Sequence, residues 1–216
     1  MRATQTRISV GLLVLIGLLL SACSKNEDPL PKFIEKFRSQ VVKFDDDRSD
    51  ANKTIKKGLS SLDLVEQAVE KEKGVNENVG KAFKQWKKVD GEVKDLRKGF
   101  KKLNKRAEQL LKAIAGEIKE LDKGAMRDQR EKEFTALGKE YANVLATTKK
   151  AIDKMNDVHH KALQILKNLR IGMAMAGMRQ EMKAGFTNIR ESIKVVMADL
   201  QKAIDESNKL LKRYTS

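Results

Sequence analysis

Proline and cysteine are nearly missing from this sequence. Its 216 residues include two prolines, one cysteine, two histidines, one tryptophan and only 5 % aromatics. A single cysteine excludes an internal disulfide framework and any cysteine-built zinc or iron–sulfur centre. With two histidines and no second cysteine, no Ser–His–Asp or Cys–His set assembles in recognisable context. No stretch alternates with period two, so no strand precedes a glycine loop that could cradle phosphate. Scarce aromatics and proline beside abundant Lys, Ala, Leu and Glu point away from a β-sandwich or barrel and toward long helices. Acids are also outnumbered, 30 against 45 Lys and Arg, for a net charge of +15. The length suits one domain, or two small ones, with a real core. Neither an enzyme nor a resident cofactor is expected from this inventory.

The most specific signal lies in residues 1–23. Arg2 and Arg7 precede an apolar run from Val10 to Leu20, and Ser21-Ala22-Cys23 follows. A basic head, a short apolar stretch and small residues before a cut site mark a secretory signal. The run is shorter than the roughly 20 apolar residues of a comfortable span. Leu20-Ser21-Ala22-Cys23 resembles the bacterial lipobox, in which the cysteine is acylated and becomes the first mature residue; an uncleaved anchor, or an ordinary signal with a chance cysteine, is the competing reading. The resemblance implies Cys23 as the lipid attachment site and says nothing of the rest of the chain. Removing 1–22, with two Arg and no acid, leaves 194 residues and a charge of +13. Ser24 stands where an Asp would favour inner-membrane retention. The resemblance therefore implies the cell envelope, at the periplasmic face of the outer membrane in a Gram-negative host. Residues 23–31 read as the lipidated cysteine and a polar tether, and 32–216 as one helical domain.

Both prolines, Pro29 and Pro31, fall in that tether, and none follows to interrupt a helix. Apolar residues recur at threes and fours, close to heptad spacing, as in Val79, Phe83, Trp86, Val89, Val93 and Leu96, or Phe186, Ile189, Ile193, Val196 and Leu200. Turn-forming residues at 74–80, 122–124 and 171–177 divide the domain into helices near 32–73, 79–122, 128–170 and 178–213. Asp45-Asp46-Asp47 adds a potential break in the first, because Asp favours caps over helix interiors. The fold class is all-α: an elongated antiparallel bundle or coiled coil of three or four long helices, with a single sideways hairpin as the alternative.

A lipobox followed by proline-free helices, a Met-rich turn and an amphipathic last helix resembles, over the C-terminal half, an uncharacterised family of helical bacterial lipoproteins. That likeness implies the architecture and transfers no activity.

Charge is concentrated. Residues 81–119 hold 13 Lys and Arg against five acids. At about 100° per residue, Lys84, Lys87, Lys94, Lys98, Lys101, Lys102, Lys105 and Lys112 lie opposite the apolar set running from Val89 to Ile118. Such a stripe suits an anionic partner. Outside the cytoplasm that means anionic lipid, lipopolysaccharide, peptidoglycan or an acidic protein. The plainer reading is a solvated outer face that keeps an exported bundle soluble. Nucleic acid is not expected, since the export signal opposes it and Trp86 and Phe100 fall on the apolar face. Exposed heptad positions leave room for a homo-oligomer.

Two further clusters carry weaker chemistry. His159 and His160 are adjacent and diverge on a helix, although Asp153, Asp157 and His160 share a face. Helix packing explains them without a metal, and no metal ligand is assigned. Met173, Met175, Met178 and Met182 bring thioethers together, which suits copper(I) in an envelope protein; flexible packing at a corner is the plainer account. The sequence thus favours a lipid-anchored, non-catalytic structural or interaction module. A soft-metal or small-ligand carrier using the Met173–Met182 cluster, or a chaperone-like binder, is the alternative.

Overall fold

The computed structural model describes residues 29–172 and 177–215. They form four helices: α1 Pro29–Glu70, α2 Val75–Glu120, α3 Ala125–Gly172 and α4 Gly177–Thr215. Each packs on its sequence neighbours, and α4 returns to α1, giving an up-down-up-down ring around one shared core. Of the expected counts, four helices is the observed one. The sideways hairpin gives way to a closed bundle because all four helices carry an apolar stripe. At 1.5 Å per residue the 48 residues of α3 extend over about 70 Å.

The α1–α2 hairpin is the most extensively packed pair. Trp86 of α2 is completely buried, and its Nε1 donates to the Gly58 carbonyl of α1 at 3.1 Å. A Cβ on Gly58 would stand 3.2 Å from Trp86 Cε2, so glycine is what lets the indole lie against that backbone. Thr54 donates to Glu92 at 2.9 Å one turn further along, and Phe44 packs beside Phe100 at 6.4 Å. These pairs run in opposite directions along the two helices and fix one antiparallel register.

Helix ends differ from the sequence boundaries for identifiable reasons. α1 opens at Pro29, so both prolines sit in its first turn rather than in the tether. A missing N–H costs nothing there, because those donors have no intrahelical acceptor. The first turn of chain is tighter than the glycine- and asparagine-rich 74–80 stretch suggests. Glu72 and Gly74 take positive φ, 54° and 68°, and Lys73 N–H reaches the Ala68 carbonyl at 3.1 Å to close the end of α1. Gly80 then lies inside α2. Asp45-Asp46-Asp47 does not break α1. Asp45 accepts two hydrogen bonds from Arg48, at 2.8 and 2.9 Å, and the Asp47 carboxylate nests against Gly99 of α2. Burial, then the neighbouring Asp95, pushes the Asp47 carboxyl above its ordinary value.

Closure between α1 and α4 is largely ionic. Arg190 donates to Asp63 at 2.6 Å and Glu66 at 2.8 Å, Lys183 meets Glu70 at 2.6 Å, and Arg179 pairs with Glu72. Exposed pairs contribute little each, about 0–1 kcal/mol. The forked Arg190 contact, with both acids on consecutive turns of α1, is the better placed of them.

Two glycines of α2 have opposite environments, which generates a prediction. A Cβ at Gly91 meets nothing within 4 Å, whereas one at Gly99 collides with the Asp47 carboxylate and lies 3.3 Å from Phe44. Gly91→Ala is expected to stabilise by about 0.5–1 kcal/mol, raising the melting temperature by about 2–4 °C. Gly99→Ala is expected to lower it, because overpacking costs about 1–3 kcal/mol. Thermal unfolding by circular dichroism reads both; a Gly99→Ala protein as stable as Gly91→Ala would refute this account of the helix approach.

Candidate functional site

α2 separates its apolar and charged faces sharply along its length. Its buried line is Val79, Ala82, Trp86, Val89, Val93, Leu96, Gly99, Leu103, Ala107, Leu110 and Ile114. Because α2 touches only α1 and α3, the side away from this line faces outward. Lys84, Lys87, Lys94, Lys98, Lys101, Lys102, Lys105 and Lys112 are all exposed on it. From Lys84 to Lys112 the row covers about 42 Å along the helix.

The lysines are weakly neutralised. Lys94 reaches Asp90 at 2.6 Å and Lys98 reaches Asp95 at 3.2 Å, but these ammonium side chains stay 65 % and 72 % exposed. Lys102 faces the Asp47 carboxylate, and Lys87 lies 5.1 Å above the Phe83 ring. Among the described residues, Lys84, Lys101, Lys105 and Lys112 have no ion-pair partner. Trp86 is core and Phe100 is partly buried against it, so neither interrupts the charged row. The result is a straight strip of ammonium groups on long flexible stems, with the half-buried Phe83 ring beneath Lys87 as its one aromatic neighbour among the described residues.

α3 widens the strip, which the sequence alone did not reveal. Arg97 of α2 pairs with Asp153 at 3.2 Å, and the Asp90 carboxyl is held low by Lys94 first and by the imidazoles of His159 and His160 further off. That edge of α3 therefore borders the strip. Exposed Lys149 and Lys167 lie on the same edge, four residues before Asp153 and seven after His160, beside Asp153, which Arg97 takes, and Asp157. Only the pairing of α2 with α3 could identify them.

The two histidines separate as expected for a helix. His160 is exposed, while His159 is 2 % exposed and their rings lie 5.2 Å apart. Burial lowers the His159 pKa, opposed by Asp90 and by a hydrogen bond to the Trp86 carbonyl, and assisted by His160 and Lys94. Among the described residues its Nδ1 has no hydrogen-bond partner, and Asn104 Oδ1 and Tyr141 OH share that condition. Tyr141 is held far above its ordinary pKa by burial and by Glu108 of α2. All three orphaned atoms belong to α2 or α3. Asp153, taken by Arg97, is not directed at a shared ion with Asp157 and His160. Among the described residues no three His, Cys, Asp or Glu side chains converge to hold a metal.

The other sequence candidates fall as follows. Cys23, Met173 and Met175 lie outside the described residues, while Met182 is core at 2 % exposure. A groove between α3 and α4 is lined by Glu140, Asn143, Thr147, Lys202 and Glu206 around Val144 and Ala203. Among the described residues no helix is long and apolar enough to cross a membrane.

The sequence model of a family described as a protein of unknown function, DUF2959, matches residues 33–214. The match takes in both hairpins rather than the C-terminal half alone. No curated protein and no solved structure matches the chain.

Two measurements follow from the buried polar atoms. The folded His159 pKa lies below the ordinary imidazole value of 6.5. The unfolded chain therefore takes up the proton first, and stability present above pH 6.5 declines as pH falls toward the folded value. The slope from this one proton is at most about 1.4 kcal/mol per pH unit. Denaturant midpoints at pH 7.5, 6.5 and 5.5 should fall in the native protein and fall less in His159→Leu. Equal slopes would remove His159 from the acid sensitivity. Tyr141→Phe, which deletes a buried hydroxyl lacking a protein partner, should unfold at the same or a higher denaturant concentration. A loss above about 1 kcal/mol would mean that the hydroxyl is satisfied after all.

Proposed function

The chain belongs to the DUF2959 family, described only as of unknown function, and on that premise we propose that it is a lipid-anchored, non-catalytic helical module of the cell envelope. Cys23 carries the lipid, residues 1–22 are a removed signal, and the bundle presents the outer face of α2 to an anionic partner. In a Gram-negative host the place is the periplasmic side of the outer membrane. One observation carries the partner half of this reading: eight exposed lysines in a single row on α2, five of them without an acidic partner among the described residues. Like charges held in a row repel one another, and an anionic surface relieves that repulsion. The lipid half rests on the sequence around Cys23. Lipid chains contribute about 0.8 kcal/mol per buried CH₂, so two or more give durable anchoring.

The two halves are tested separately. In the native host, Cys23→Ala should move the protein from the membrane fraction to the soluble one. Unchanged sedimentation with membranes would defeat the anchor. Residues 24–216 hold every core side chain among the described residues. This unlipidated chain should cosediment with vesicles containing phosphatidylglycerol and not with neutral ones, and lose binding steeply as salt rises. Changing Lys98, Lys101, Lys102 and Lys105 together to Gln should reduce binding at least tenfold. If the native sequence binds neither vesicle, the row is a solvated face and Cys23 the only membrane contact.

A further inference from the structure

We infer that the bundle lies flat, with α2 downward, on the same anionic bilayer that holds its own lipid anchor. This rests on the anchored reading above and adds a partner and a geometry to it: the occupant of the α2 face is a phospholipid headgroup surface.

Three observations converge on that occupant. The first is the length of chain ahead of the structure. Five residues separate Cys23 from Pro29, where α1 begins. Fully extended, that connection reaches about 20 Å. α1 and α2 are antiparallel neighbours, so α1 begins at the end of the bundle where α2 finishes, beside Lys112. With α2 on a surface, α1 sits about one helix diameter, roughly 10 Å, to its side, well within that reach. An anchor at Cys23 thus permits contact along the whole of α2.

The second is screening. At about 0.1 M salt, charges act over about 10 Å. In a bundle standing on its anchored end, Lys112 lies nearest the bilayer and Lys84 is about 42 Å further away. Most of the row would then be electrostatically blind to the membrane that holds it. Lying flat brings all eight lysines within range at once, along with Lys149 and Lys167 at the α3 edge.

The third is the chemistry of the row. It contains lysine and no arginine; Arg97 is turned to Asp153 and Arg106 to Gln109. Arginine forks read directional partners such as a particular carboxylate, whereas lysine ammoniums act as mobile point charges. They match the diffuse charge of a headgroup layer better than a glycan or peptide that must be held in one pose. The row also has no groove. Gly80, Gly91 and Gly116 fall on its line, 11 and 25 residues apart, and a Cβ on any of them would touch nothing within 4 Å. These bare positions leave the face low and even, which suits a plane.

The orientation is measurable as the thickness of a protein layer. The full lipidated chain is placed on supported bilayers of pure phosphatidylcholine, or of phosphatidylcholine with phosphatidylglycerol, and examined by neutron reflectometry. On the anionic bilayer the layer should be roughly 20–25 Å thick, about two helix diameters. It should thicken two- to threefold on the neutral bilayer, at high salt, or when Lys98, Lys101, Lys102 and Lys105 are all Gln. A retained layer equally thick on both bilayers would overturn the flat geometry alone and turn the lysines toward a distant glycan or protein. A thin layer that ignores both headgroup charge and the Gln substitutions would overturn the electrostatic cause. A chain retained on neither bilayer would overturn the anchor, and this inference with it.

Discussion

Everything outward-facing in this protein depends on the register between α1 and α2, and that register is set where Trp86 meets Gly58. The indole is the largest buried side chain, and its one polar atom is satisfied by a backbone carbonyl on the opposite helix. Sliding α1 by one residue would carry Gly58 away, put a side chain against the ring and strand the indole N–H in the core. The cost would combine overpacking with an unsatisfied donor, each of order 1–3 kcal/mol. Because a helix is rigid, fixing the inward direction at Trp86 fixes the outward direction 40 Å along it. The charged row is aimed by a contact on the other side of the same helix.

The rest of the ring is held by different means. α1 and α2 meet through apolar layers, a few cross-helix hydrogen bonds and a glycine cradle at Gly99, whereas α1 and α4 are joined by ion pairs of Arg190, Lys183 and Arg179. Between α2 and α3, the three buried polar atoms without partners, on Asn104, Tyr141 and His159, dilute the apolar contact. An orphaned buried polar group costs about 1–3 kcal/mol. His159 makes the α2–α3 seam acid-sensitive, since a proton there must be accommodated beside Lys94 and His160, with Asp90 as the opposing charge.

Helical spacing made the class, the four helices and most core positions readable, because each apolar stripe is periodic over tens of residues and no proline interrupts it. Turns were read less well. Glycine and asparagine between 74 and 80 carry a turn signal, yet the chain turns earlier, with Glu72 accepting a left-handed conformation usually left to glycine. Composition could not show that Arg179 of α4 would stand ready to pair with that glutamate. The triple aspartate misled for a related reason: its capping tendency is local, and Arg48 and Gly99 absorb two of its carboxylates from within and across the hairpin. The lysine row needed only a helical wheel. Its extension to Lys149 and Lys167 needed to know which helix lies beside α2, information held in tertiary packing alone.

A solubility role for the lysines accounts for their exposure but not for their distribution. α1 carries eight basic and eight acidic residues and is neutral, while α2, its packing partner of similar length, carries 13 against seven. Both helices expose comparable outer faces and belong to the same bundle, so a requirement for water contact alone would load them alike. The acids of α2 are also arranged unevenly. Glu92 is taken by Thr54 of α1, and Asp90 and Asp95 sit to either side of the row, leaving Glu108 as the one acid among the lysines from Lys98 to Lys112. Glu108 is itself engaged by Asn104 at 2.8 Å. A helix that keeps its carboxylates off one line, on a neutral partner that could have supplied compensating charge, maintains a repulsion that folding does not require. The proposed anionic surface would relieve that repulsion, and the row's straightness and lack of arginine are the features it would meet.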